Sequence, residues 1–270
     1  MMRFLLDRLG RLGRFFWSGW VGVAGLAVFA ALWQQGHEAY GDFILPSPLT
    51  TLHATGELLR AESTWRLAEA TSVRAIQGFF LTAVLGGVLG IAVGYSAAAM
   101  RLARPLLTII MGVPPIAWIV LAMIWFGSST GTVLTTTVVA AFPLVFANVA
   151  EAVATRDRAL EEMAKAFGAG PFQRLWTIVI RHVAGQYFPA LAVALGSTFK
   201  VAVMAELLAN IDGIGVALAM SRSNLDVAQS IAWVVIIVAV IFIVEYGIVQ
   251  PVRAELERWR EAARPWGVRR

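Results

Sequence analysis

Six apolar runs, at about 17–33, 79–96, 104–125, 131–150, 183–208 and 229–249, limit what this chain can fold into more than any motif does. Each approaches the roughly 20 residues that a helix needs to cross the ~30 Å hydrocarbon core of a bilayer. A soluble fold needs polar residues to face water, and a sequence that is 59% hydrophobic and 14% charged, with a mean hydropathy of +0.72, does not supply them. The expectation is an all-α integral membrane protein with about six transmembrane helices. Its parts are expected to be a basic N-terminal segment at 1–16, a transmembrane domain at 17–250 that contains a polar loop at 151–182, and a basic tail at 251–270. The basic head followed by an apolar run imitates a secretory signal, but AALWQQ offers no clean small-residue cleavage site, so an uncleaved first anchor is expected. The sequence has no cysteine, which excludes disulfides, thiolate metal sites and cysteine nucleophiles.

Positive charge orients these spans. With the amino end in the cytoplasm, Arg3, Arg8, Arg11 and Arg14 fall inside, as do Arg101, Arg104, Arg156, Arg158, Lys165, Arg174 and Arg181, and also Arg253, Arg258, Arg260, Arg264, Arg269 and Arg270. Arg60, Arg66, Arg74 and Arg222 fall outside, and Lys200 lies within a span. The imbalance follows the positive-inside rule, so both termini are expected in the cytoplasm of a multi-pass inner-membrane protein. The net charge of +5 needs no nucleic acid to explain it, because basic residues flanking the helices satisfy lipid headgroups.

The outer segment 34–78 begins with Pro46 and Pro48, after which Leu49, Leu52, Leu58 and Leu59 fit one face of a short helix lying along the membrane surface. The other outer links, 127–130 and 209–228, are too short to enclose a solute, so high-affinity capture falls to another protein. In the second span Gly78, Thr82, Gly86, Gly90 and Gly94 recur at every fourth position, a face on which another helix can approach closely, within this subunit or in a dimeric or moving core. Pro114 and Pro115 remove two backbone donors and must interrupt the third span. Such a break belongs against protein or an aqueous cavity, which makes both prolines candidates for pathway lining or gating as well as for a structural kink. Lys200, inside the fifth span, needs a wet pathway or a polar partner. Glu206 lies about 120° around an ideal helix from it. The two need not pair, and Glu206 is expected near the outer headgroups as a gate anchor or structural contact. Gly213 and Gly215 then permit a sharp return toward the last span.

The three histidines, His37, His53 and His182, are dispersed and form no recognised metal pattern, and no Walker loop, serine elbow or HExxH helix is present. The most distinctive polar stretch is Glu162 to Arg181, EMAKAFGAGPFQRLWTIVIR. Glu162, Ala164, Lys165 and Gly168 fit a short helix closed by a glycine turn, and Pro171 can begin a second helix that presents Phe172, Leu175, Trp176 and Ile178. This surface suits a cytoplasmic partner that buries Phe172 and Trp176 while Glu162, Lys165 and Arg174 orient it, or else the inner leaflet itself.

Here the chain resembles the permeases of binding-protein-dependent ABC importers, particularly the nitrate, sulfonate and taurine branch. Glu162, Met163, Ala164 and Gly168 match the glutamate, first alanine, second alanine and glycine of that family's EAA loop, and Ile178 its later apolar position; Met163 replaces alanine, and Ile180-Arg181 stands where the family has Leu-Pro. FILPSP at 43–48, TSVRAIQGFF at 71–80, VPPIAWIVLAMIWFG at 113–127 and AELLANIDGIG at 205–215 carry the likeness over most of the chain. The resemblance implies a type I importer fold, two permease copies, a second one expected to be identical, around a central pathway, a cytoplasmic ATPase dimer that receives the loop from Glu162 to Ile178, and a periplasmic or extracellular solute-binding protein. It implies no cofactor in this chain, with Mg-ATP on the partner ATPase and no enzymatic site here. The expected cargo is a small anion of the sulfonate, taurine or nitrate kind, with Lys200 as its charge complement. A neutral or cationic vitamin precursor, and a non-transporting scaffold or sensor, stand as alternatives.

Overall fold

The computed structural model describes residues 22–251, and every described element is helical. A first helix, α1, covers 22–40, and the indole N–H of Trp33 donates to the Pro46 carbonyl at 3.0 Å, tying its end to the 41–47 link. There follow α2 (Pro48–Arg60), α3 (Glu62–Gly94), α4 (Ala97–Gly112), α5 (Pro115–Phe126), α6 (Thr130–Ala154), α7 (Arg158–Ala166), α8 (Pro171–Arg174), α9 (Ile180–Ala209), α10 (Ile214–Ser223) and α11 (Val227–Val244). Side-chain oxygens cap several of these at their N-termini: Ser47 accepts from Thr50 N–H, Ser96 from Ala99 N–H, Asp157 from Leu160 N–H and Asp226 from Gln229 N–H. Each satisfies one of the donors that a helix leaves open in its first turn. A π-helical turn, Leu175–Val179, joins α8 to α9, so that one helical rod runs from Pro171 to Ala209.

The core is built by α3, α6 and α9. The glycine face of α3 lies on α6 of the same chain so closely that added β-carbons would collide. At Gly78 one would stand 2.2 Å from Thr137 Oγ1, at Gly86 2.8 Å from Val145, at Gly90 2.8 Å from Val149 and at Gly94 2.7 Å from the Ala150 carbonyl. The small-residue face is therefore an intrasubunit seam, the plainer of the two expected uses. Buried threonines keep the helices apolar on the outside by turning their hydroxyls onto their own backbone, as Thr136 does to Thr132 O at 2.8 Å and Thr137 to Val133 O at 2.9 Å.

The spans differ from expectation in three respects. Four described helical stretches are long and apolar enough to cross a bilayer, Glu62–Gly94, Thr130–Ala154, Pro171–Ala209 and Val227–Gly247. The third expected span, 104–125, is instead a pair, α4 and α5, bent by 94° where Pro114 caps α5 and Pro115 opens it, which would make a fifth crossing if the pair counts as one. The first expected span, 17–33, begins outside the described residues, as do the basic head at 1–16 and nearly all of the tail at 251–270. The second span does not start at 79. It continues backward to Glu62, because Thr64, Thr71 and Ala75 bury against neighbouring helices and extend the same helical face, so only α2 remains as a separate short helix of the 34–78 segment.

Candidate functional site

Two polar clusters stand along α3, one against its middle at Arg74 and one just past its C-terminal end at Tyr95. Arg74 and Tyr95 are separated by 21 residues of one helix, about 32 Å at 1.5 Å per residue, which is close to the thickness of a hydrocarbon core.

The first cluster centres on Glu206, near the end of α9, whose side chain is 0% exposed. Arg74 of α3 donates through Nη1 to Glu206 Oε1 at 2.8 Å and also to the Asp212 carbonyl. The Thr71 hydroxyl, one turn earlier on α3, donates to Oε2 at 2.7 Å and accepts from Ile214 N–H at 2.9 Å, and Gly215 N–H reaches Oε2 at 3.3 Å. The turn can reach the carboxylate only because it lacks side chains. A β-carbon on Gly213 would lie 2.2 Å from Glu206 Cδ, and one on Gly215 would lie 2.3 Å from the Val203 carbonyl. Glu206 is thus buried in a shell of donors from α3 and the start of α10. Its partner Arg74 lies within the helix α3 and not in a loop. Sequence reasoning missed this pair; the usable signal was a charged residue at helical spacing from Thr71 and Gly78, on the face that α3 buries.

The second cluster supports the stretch from Arg158 to Ile178. Arg156, just past α6, pairs through Nε with Glu161 of α7 at 2.9 Å, donates to the Val153 carbonyl at 2.9 Å and stacks over the Tyr95 ring at 4.5 Å. Burial, and then the neighbouring Glu161 carboxylate, push the Tyr95 phenol above its ordinary range. On this base α7 ends two residues before Gly168, where φ is +84° and the chain reverses before Pro171 opens α8. Glu162, Ala164 and Lys165 lie on α7, and Ile178 lies half-buried in the π turn at the foot of α9. Phe167 is 86% exposed, Phe172 76% and Trp176 62%, with Met163 and Leu160 also open. Phe172 and Trp176 stand out, and Phe167 and Met163, the latter in place of the family's alanine, extend the same apolar surface.

Of the candidate pathway or gate residues, Glu206 centres the first cluster, whereas Pro114, Pro115 and Lys200 belong to neither. Pro114 and Pro115 sit at the exposed bend between α4 and α5. Lys200 is exposed on α9, away from Glu206, and no carboxylate of the described residues lies within ion-pair range of it. The described residues hold no group of three histidine or acidic side chains that could bind a metal.

Comparison with known proteins places this architecture. The family described as "Binding-protein-dependent transport system inner membrane component" matches residues 41–251. The taurine transport system permease protein TauC of Escherichia coli is 25% identical over 188 residues, 68% of this chain and 67% of that one. A Bacillus subtilis permease protein, SsuC, named for aliphatic sulfonates transport, is 25% identical over 238 residues, 87% of this chain and 86% of its own. Among solved structures, the inward-facing MetNI methionine ABC transporter superposes with a TM-score of 0.56 at 18% identity over 72% of this chain and 98% of that one, a likeness of fold. The fold is that of a type I importer permease, and the chain belongs to the family of inner-membrane components of binding-protein-dependent transport systems.

Proposed function

We propose that this multi-pass permease moves a small organic anion, of the sulfonate or taurine class, across the inner membrane by alternating access, driven by ATP hydrolysis on a separate subunit. The observation that carries the coupling is the surface at Met163, Phe167, Phe172 and Trp176, held at the end of α3 and α6 opposite the Arg74–Glu206 pair. Large apolar side chains raised on the ion-paired α7 and on the exposed start of the rod from Pro171 are suited to a partner's groove. A cytoplasmic ATPase dimer carrying Mg-ATP is the partner that fits, with Glu162 and Lys165 orienting the contact and Gly168 setting the turn. Because α8, the π turn and α9 form one rod, a displacement at Trp176 moves the base of a membrane helix directly. Two permease copies, expected to be identical, enclose the pathway, a solute-binding protein delivers cargo at the Arg74–Glu206 end, and both termini face the cytoplasm. The cargo class rests on the names of the relatives and on Lys200, a cation exposed within a span.

The test is ATP-dependent uptake by the chain reconstituted in lipid with its ATPase and binding protein, offered taurine, alkanesulfonates, nitrate and pyrimidine precursors. Uptake of sulfonates, lowered by Lys200→Met with the assembly intact, is the expected result. Uptake confined to the pyrimidine precursors would overturn the cargo class. Stable assembly without uptake of any of them would count against the importer reading and for a scaffold.

A further inference from the structure

A groove of about 450 Å³ opens beside the second cluster and belongs to neither the partner surface nor the transport pathway. It is lined by Tyr95, Ser96, Met100, Arg101, Arg104 and Arg158, among others. Two elements bring its three arginines together: Arg101 and Arg104 stand one turn apart in the first half of α4, and Arg158 is the first residue of α7. Their charge is largely uncompensated. Arg101 makes one hydrogen bond, from Nε to the Ala97 carbonyl at 3.3 Å, which leaves its guanidinium fork open. Arg104 has only a loose bridge to Glu151 at 3.9 Å with both side chains open to solvent, and Arg158 meets no carboxylate of the described residues within ion-pair range. The nearby Asp157 is engaged as the cap of α7, and Glu161 is held by Arg156.

Position narrows the anion that this groove would take. Its rim is formed where α3 and α6 end, and the ends of membrane-length helices meet the headgroups of a bilayer. From it leads α4, a helix with no buried residue, with Leu102, Leu106 and Ile109 exposed along one face. An arginine cradle at the mouth of an exposed apolar track matches a molecule with a phosphate at one end and hydrocarbon at the other. Basic pockets between helices on the cytoplasmic side are a recognised means of holding anionic headgroups, and guanidinium forks engage phosphate in a bidentate way.

We propose that Arg101, Arg104 and Arg158 form a binding site for an anionic phospholipid headgroup, with the acyl chains lying along α4. The site adjoins α7, so a bound lipid braces the base of the partner surface. The proposal is independent of the cargo and rests only on the chain lying in a bilayer.

Native mass spectrometry of the full chain in mixed micelles containing either phosphatidylglycerol or phosphatidylcholine tests it. The chain should retain phosphatidylglycerol in preference. The double variant Arg101→Gln/Arg158→Gln should lose about 25-fold in that retention, at roughly fivefold for each arginine near a headgroup. Arg101→Lys/Arg158→Lys should keep most of it, and Arg222→Gln, which removes a charge in the last turn of α10, should change nothing. Excess inorganic phosphate should fail to displace the lipid. Equal retention of the two lipids, an unchanged double variant, an equal loss in Arg222→Gln, or displacement by phosphate, which would indicate a site for a free anion, each overturns the proposal. Sulfonate uptake can fail without touching any of these outcomes.

Discussion

Glu206 shows how a single carboxylate organises its end of the molecule. It sits out of water with Arg74, Thr71 and Gly215 as donors, so removing one partner exposes the full cost of burying the rest. Arg74→Met should destabilise the chain by about 3–5 kcal/mol, read as a lowered midpoint of thermal unfolding in detergent. The double change Arg74→Met/Glu206→Gln should recover part of that loss, since the remaining amide carries no charge; a double variant as unstable as the sum of the two single changes would mean that the pair is uncoupled. Gly215→Ala should cost about 1–3 kcal/mol or more, because its added carbon meets the Val203 carbonyl, which is backbone and cannot swing away. The residues of this cluster are all visible in the sequence as TSVR and AELLANIDGIG, yet their partnership was not. The contact joins positions 71–74 to 206–215, and helical periodicity carries no information across that separation.

At the scale of the element, local chemistry made most of the helices legible. Apolar length marked α6 and α9, paired prolines marked the break between α4 and α5, and Pro171 marked the start of α8. Lengths were harder to read. The amphipathic front half of α3 resembles a surface helix in sequence, and only its burial against the rest of the chain makes it part of one 33-residue helix. The glycine seam offers a comparison within one protein. Gly94→Ala should destabilise, its added carbon facing the Ala150 carbonyl at 2.7 Å, whereas Gly112→Ala, with nothing within 4 Å, should be neutral or slightly stabilising in the same unfolding measurement. Gly168 is a third case. No atom stands within 4 Å of its missing β-carbon, but φ of +84° penalises any branched residue. Gly168→Val should leave the spans folded and weaken recovery of the ATPase on co-purification; full recovery with unchanged ATP hydrolysis would show that the turn does not set the contact.

For the whole molecule, α3 and the rod from Pro171 to Ala209 each run between the levels of the two clusters. The rod carries Trp176 at one extremity and Glu206 at the other, so the surface proposed for the ATPase and the buried pair belong to one continuous helical stretch. Trp176→Ala should therefore reduce ATPase recovery while leaving thermal stability nearly unchanged, in contrast with Arg74→Met, and a matching loss of stability would place Trp176 in the fold instead. Along α3, Arg74 and Tyr95 fix the distance between two sets of polar contacts at about 32 Å. That spacing acts as a gauge. A bilayer with a much thinner or thicker hydrocarbon layer must deform, or tilt the bundle, to keep both sets in polar surroundings. The chain should consequently be most stable in lipids of intermediate acyl length and lose stability toward both shorter and longer chains.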